Sequence, residues 1–178
     1  MEKRGMRWVA VIWVVLGIGV VAASAGEEHH AAVAGSSELE QVKRLAGRWE
    51  GTSQMDTNPE QSTTVEYKVT SGGSAVVETL FPGTPHEMVS VYHDTHSKKL
   101  SMTHYCMIGN QPELELTRAD GQQLAFNLSP GSPIPSSEEH MHALNITWDG
   151  PDRLMEVWTS YKDGKATSSA TFRLARAH

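Results

Sequence analysis

Residues 153–176 read RLMEVWTSYK, then DG, then KATSSATFRLAR, and this stretch decides the fold. An Asp-Gly pair between two runs rich in β-branched and aromatic residues is a strong short-range signal for a β-hairpin. After Asp163-Gly164, the residues Ala170, Phe172 and Leu174 fall on every second position. Strand side chains alternate faces, so these three share one apolar face. Before the turn the pattern is less clear. Leu154, Glu156 and Trp158 oppose Met155, Val157 and Tyr161, and neither set is plainly the inner one.

The same pattern extends upstream. Ten strands are expected: Arg48–Met55, Thr63–Thr70, Ser74–Phe81, Glu87–His93, Lys99–Met107, Pro112–Thr117, Gln122–Leu128, Glu139–Trp148, Arg153–Lys162 and Ala166–Arg176. The links are turn material, including Ser71-Gly72-Gly73, Asp94-Thr95-His96, Asp120-Gly121 and Asp149-Gly150-Pro151. Links this short force neighbouring strands to run antiparallel, because parallel pairing needs a long crossover. A long meander leaves two open edges, and closure into a barrel removes both. The fold class is therefore all-β, a single antiparallel up-and-down barrel of about ten strands, with a two-sheet sandwich as the alternative. The proline-rich link Ser129–Ser137 cannot join a ladder. It reads as a surface loop or as a lid at one mouth.

One short helix precedes the strands. Ser36 or Ser37 can cap it, Glu40 completes a capping box with Ser37, and Leu39, Val42 and Leu45 recur at helical spacing before Gly47. Residues 26–36 read as a disordered lead-in, and residues 37–178 as the barrel domain. Residues 1–25 have the three parts of a secretory signal. Lys3, Arg4 and Arg7 are followed by an apolar run from Trp8 to Val21 and then by Ala23-Ser24-Ala25. The run is shorter than the roughly 20 residues that span a bilayer. Cleavage after Ala25 and a periplasmic or secreted location are expected.

The formal net charge is −6. Three basic residues and one acidic residue lie before Gly26, so the remainder is more acidic still. That balance argues against nucleic acid and against stable insertion in an anionic membrane after cleavage. The expected partner is a small molecule. The single cysteine, Cys106, has no partner for an internal disulfide.

Face alternation points to where a ligand would sit. Leu100, Met102, His104 and Cys106 share one face of the fifth strand. His140, His142, Leu144, Ile146 and Trp148 share one face of the eighth. Both sets should point inward and meet across the lumen. Met102, His104, Cys106, His142, Trp148 and Trp158 are thus the expected ligand-binding residues. His104, Cys106, His140 and His142 form a candidate metal set. Each His-x-His or His-x-Cys pair places donors about 7 Å apart along a strand, and N and S donors suit zinc or copper.

No catalytic motif stands out. Cys106 beside a histidine suggests nucleophilic chemistry, but a lone cysteine is usually a small core residue. No Gly-x-Ser-x-Gly elbow and no phosphate loop occur.

Leu45-Ala46-Gly47-Arg48-Trp49-Glu50-Gly51 follows directly on the helix and resembles the Gly-x-Trp opening of lipocalins and related calycin barrels. The resemblance implies that Trp49 plugs the closed end. It also implies that a basic residue of the last strand, Arg173 or Arg176, packs over that ring. Ten meandering strands are more similar to fatty-acid-binding and nitrobindin-like barrels, and the latter likeness would imply haem. This chain lacks a histidine within its last strand, His178 lying beyond it. Phe81-Pro82-Gly83-Thr84-Pro85-His86-Glu87-Met88, Thr103-His104-Tyr105-Cys106 and Gly109-Asn110-Gln111-Pro112 resemble an uncharacterised group of exported bacterial barrel proteins. That group implies no established activity.

Three functions fit these observations. The first is a non-enzymatic binder of a small, partly apolar molecule inside the barrel. The second is a metal or haem protein using the His/Cys cluster. The third is a structural or stress-response envelope protein with a filled barrel.

Overall fold

A computed structural model describes residues 34–178; the expected signal segment and most of the expected lead-in lie outside this range. The end of the lead-in is part of the fold. Ser36 is the N-cap of α1 (Ser37–Lys43), its hydroxyl accepting from Leu39 N at 3.0 Å. The Ser36 amide and hydroxyl also donate to the Asp94 carboxylate at 2.6 and 2.7 Å, and Gly35 N donates to Glu40 Oε1 at 3.0 Å. The cap is therefore Ser36, and the Ser37–Glu40 box does not form, because Glu40 accepts from Gly35 and the Ser36 amide is held by Asp94.

Ten strands follow: β1 Gly47–Met55, β2 Gln61–Thr70, β3 Ala75–Leu80, β4 Met88–Asp94, β5 Leu100–Tyr105, β6 Glu113–Asp120, β7 Gln123–Leu128, β8 His140–Trp148, β9 Arg153–Lys162 and β10 Lys165–Arg176. Each pairs antiparallel with its sequence neighbour, and β1 pairs with β10 to close the barrel. At the β9–β10 turn, Lys162 pairs with Lys165, and Asp163 and Gly164 have φ of 50° and 72°. Positive φ at both central residues is the geometry that matches the twist of a hairpin.

Closure depends on a close approach of two backbones. A Cβ on Gly51 would run into the carbonyl oxygen of Arg173 on β10. Glycine at this strand position lets the first and last strands meet.

The inner face carries Trp49, Val65, Val76, Tyr92, Leu100, Met102, Leu114, Leu124, Phe126, Leu144, Ile146, Leu154, Trp158, Phe172 and Leu174, all buried. On β9 the inner set is Leu154, Glu156, Trp158 and Ser160, which settles the strand whose faces are balanced in sequence. Helix α1 packs against β2, β3 and β4 and adds Leu39 and Val42 to the core, and Leu45 joins them just after its end.

That end of the barrel is the closed one. Trp49 is 1% exposed, and its indole N–H donates to Leu45 O at 2.8 Å. The basic residue over it is Arg176, with its guanidinium carbon 4.3 Å from the ring. Arg176 also donates to Ala46 O and Arg44 O at 2.8 and 2.9 Å, satisfying carbonyls at the helix exit that lack helical partners. Arg173 does not play this part. It is exposed and pairs with Glu60 at 3.2 Å.

Candidate functional site

The opposite end holds a cavity of about 440 Å³. Register places it there: on β1, Trp49 is level with Arg176, whereas Met55 is level with Ala170, and Met55 and Ala170 belong to the cavity wall. Leu80, Phe81, Met88, Met141, Ala170 and Phe172 make most of that wall apolar. The β1–β2 hairpin supplies a polar rim that includes Ser53, Gln54 and Asn58.

Two of the expected residues lie at its base. His104 and Trp158 both line the cavity, their rings 4.7 Å apart. His104 is fully buried. Its Nδ1 is 3.0 Å from Ser90 Oγ. Its Nε2 has no hydrogen-bond partner among the described residues. Burial lowers the imidazole pKa from 6.5 to about 4, so the ring is neutral at pH 7.

The other expected residues lie elsewhere. Met102 is a fully buried core residue away from the cavity wall. Trp148 is near the closed end, where its indole donates to Gly121 O at 3.1 Å and it shares a second hollow with Trp49 and Arg176. Cys106 falls just beyond the end of β5, half-buried in the turn where its amide donates to Asn110 O at 3.1 Å. Burial pushes its thiol pKa up, so it stays a weak nucleophile.

The eighth-strand histidines do not reach across the lumen. A bulge between Met141 and Ala143 interrupts the pairing of β8 with β9. A bulge adds one residue to one strand and reverses the faces beyond it. Leu144 and Ile146 remain inside, Met141 turns into the cavity, and His142 stacks on Tyr161 with ring centroids 4.0 Å apart. Tyr161 lies on the outer face of β9, opposite in parity to Trp158 and Ser160. His140 contacts Glu138 O at 2.7 Å and His142 Nδ1 at 3.2 Å. Burial and the neighbouring His140 lower the pKa of His142. The expected four-donor set of His104, Cys106, His140 and His142 therefore does not converge. Among the described residues, no group of three or more His, Cys, Asp or Glu side chains is placed to hold a metal ion. None of the residues of the proline-rich link Ser129–Ser137 lines the cavity.

A polar cluster absent from the sequence-based expectations sits deeper in the barrel. Glu78 of β3 and Glu156 of β9 are both fully buried. The Tyr67 hydroxyl lies between them, 2.6 Å from Glu156 Oε1 and 3.2 Å from Glu78 Oε1. Tyr92 donates to Glu78 Oε2 at 2.7 Å, and the Trp158 indole donates to Glu156 Oε2 at 3.3 Å. Burial raises both carboxyl pKa values, and for Glu156 the charge of Glu78 adds to the effect. Hydrogen bonding, from Tyr92 first, limits the rise at Glu78. Burial thus favours the protonated form of both carboxyls, more strongly for Glu156. Neither belongs to any of the ion pairs among the described residues.

No protein-family model matches the chain, and no curated protein matches its sequence. The barrel itself has a structural counterpart. It is similar to a protein of unknown function from the DUF3598 family of Nostoc punctiforme, at 17% identity and a TM-score of 0.54. The match covers 77% of this chain and 49% of that one, so this chain spans about half the length of that protein. The likeness is one of fold.

Proposed function

We propose that the protein is a lipocalin-like binder of a small, partly apolar molecule, held in the mouth of the barrel opposite α1. One observation carries this reading. The cavity wall is largely apolar, and a buried ring nitrogen, His104 Nε2, is left without a partner at its base. A volume of about 440 Å³ lies within the roughly 300–1,000 Å³ of small-molecule sites, which are mostly apolar with a few placed polar groups. A buried polar atom without a partner is costly, and a ligand would supply the missing bond. The expected signal segment favours a role outside the cytoplasm, and N-terminal sequencing of exported protein should begin at Gly26.

The uncharged dye N-phenyl-1-naphthylamine tests the site. Its fluorescence should rise on binding and saturate near one equivalent. Ala170→Trp should fill the cavity and abolish the signal while circular dichroism stays that of a β-barrel. Equal enhancement by the wild type and a folded Ala170→Trp protein would place the dye elsewhere and overturn the reading.

A further inference from the structure

The cavity mouth concentrates one side chain with a chemistry of its own. Met55, Met88, Met107 and Met141 all line the cavity, and among the described residues only Met102 and Met155 lie away from it. Met55 ends β1, and Met107 sits in the turn after β5. These strands stand on opposed walls, with three strands between them one way round the barrel and five the other. Met55 and Met107 are 45% and 57% exposed, so each meets both the cavity and the solvent. Met88 and Met141 are half-buried, and the Met141 sulfur accepts from Ser160 Oγ at 3.4 Å.

Leucine would give the mouth a similar apolar area. Methionine adds a sulfur that is polarisable in contact and open to oxidation. We propose that Met55 and Met107 are a modification site, at which an oxidant of the hydroperoxide class converts both thioethers to sulfoxides and the cavity then releases its apolar ligand. This inference rests on the reading of the cavity as a ligand site. A lone pair on Sδ attacks one peroxide oxygen. The S–O bond forms as the O–O bond breaks, so sulfur is oxidised by two electrons and the peroxide is reduced. With hydrogen peroxide, the proton on the transferred oxygen passes to the leaving hydroxide, which departs as water. The thioether needs no ionisation for this step. Cys106 beside it reacts as its thiolate, and burial disfavours that form. Each sulfoxide places a strong acceptor dipole where the apolar surface of the ligand packs. Binding must then strip water from both oxygens without replacing its hydrogen bonds, a cost that falls on the bound state. Reduction of the sulfoxide restores the thioether. Met155 is the internal comparison, because it is exposed on the outer face of β9 and away from the cavity.

The test treats protein expressed from the full-length chain with excess hydrogen peroxide at pH 7.5, removes the peroxide and titrates with N-phenyl-1-naphthylamine. Peptide mass spectrometry should find one added oxygen on Met55, Met107 and Met155, and none on Met102, which is fully buried. Dye affinity should fall at least about ten-fold while circular dichroism stays that of a β-barrel. It should recover after treatment with sulfoxide reductases of both epimer specificities. In Met155→Leu the loss should persist, whereas in Met55→Leu/Met107→Leu the affinities before and after oxidation should agree. Met55→Gln/Met107→Gln carries a polar amide at both places from the start, and should bind the dye as weakly as the oxidised wild type. If both sulfoxides form and affinity holds, or if the double leucine variant loses as much as the wild type, the proposal fails while the binding reading stands. Absence of added oxygen on either Met55 or Met107 also overturns it. If untreated protein does not bind the dye, both fail together.

Discussion

Trp49→Ala should lower the stability of the barrel by roughly 3–5 kcal/mol, the range for truncating a large buried aromatic. Three losses combine. The indole is 1% exposed, so its removal opens a void at the closed end that neighbouring strands and α1 cannot fill without moving. Its N–H bond to Leu45 O, at 2.8 Å, is lost and leaves a carbonyl at the helix exit short of a donor. Arg176 loses the ring beneath its guanidinium, 4.3 Å away. Trp49→Phe separates these terms. It keeps an aromatic face for Arg176 and most of the volume but loses the N–H donor, so it should cost less than the alanine variant. Urea unfolding of the three proteins measures both gaps. An unchanged midpoint for Trp49→Ala would show that this end of the barrel is not closed by Trp49.

The closed end was more legible in sequence than the mouth, for physical reasons that individual residues display. Strand number and order follow from short turns such as Asp163-Gly164, whose chemistry is local. Parity also carries over along an uninterrupted strand. Ala170, Phe172 and Leu174 point inward, and the same parity continues to Arg176, not to Arg173. Alternation alone therefore favours Arg176 as the residue over Trp49. Parity fails where pairing is irregular. The bulge between Met141 and Ala143 depends on how β8 meets β9, and nothing local to β8 announces it. It exchanged Met141 for His142 in the cavity and dispersed the expected metal set. Cys106 left its expected face for a simpler reason, because β5 ends at Tyr105.

The buried carboxyls were hidden by a rule of thumb that treats a glutamate as a mark of the outer face. Glu156 alternates with Leu154 and Trp158, and Glu78 alternates with Val76 and Leu80; all of these are buried. A lone carboxylate on an otherwise apolar strand face is the signal that was available. In each case the acid is fixed by tyrosine donors from other strands, Tyr67 of β2 and Tyr92 of β4, and such partners become visible only once the barrel closes.

His104 and Glu156 should give the barrel two opposed dependences on pH, which single variants can separate. The pKa of His104 falls from 6.5 to about 4 on folding. Between those values the unfolded chain binds the proton that the folded ring refuses. Its contribution is therefore complete above pH 6.5 and is lost as the pH falls toward 4. That interval corresponds to about 3 kcal/mol. Glu156 has the opposite sign. Burial, then the charge of Glu78, raises its carboxyl pKa well above 4.5, so folding favours the protonated form. Its contribution is complete below pH 4.5 and is lost as the pH rises through the folded value. From about pH 4.5 upward the two slopes oppose one another. His104→Leu removes the first, so the advantage of the wild type over this variant should shrink by about 3 kcal/mol between pH 7 and pH 4. Glu156→Gln keeps a polar head of the same shape and a donor in place of the acid proton. This variant should gain on the wild type as the pH rises above 4.5. Urea unfolding of the three proteins at several pH values gives both differences, and titrations common to all three cancel. Variant curves that run parallel to the wild type across this range would show that neither group changes its proton affinity on folding.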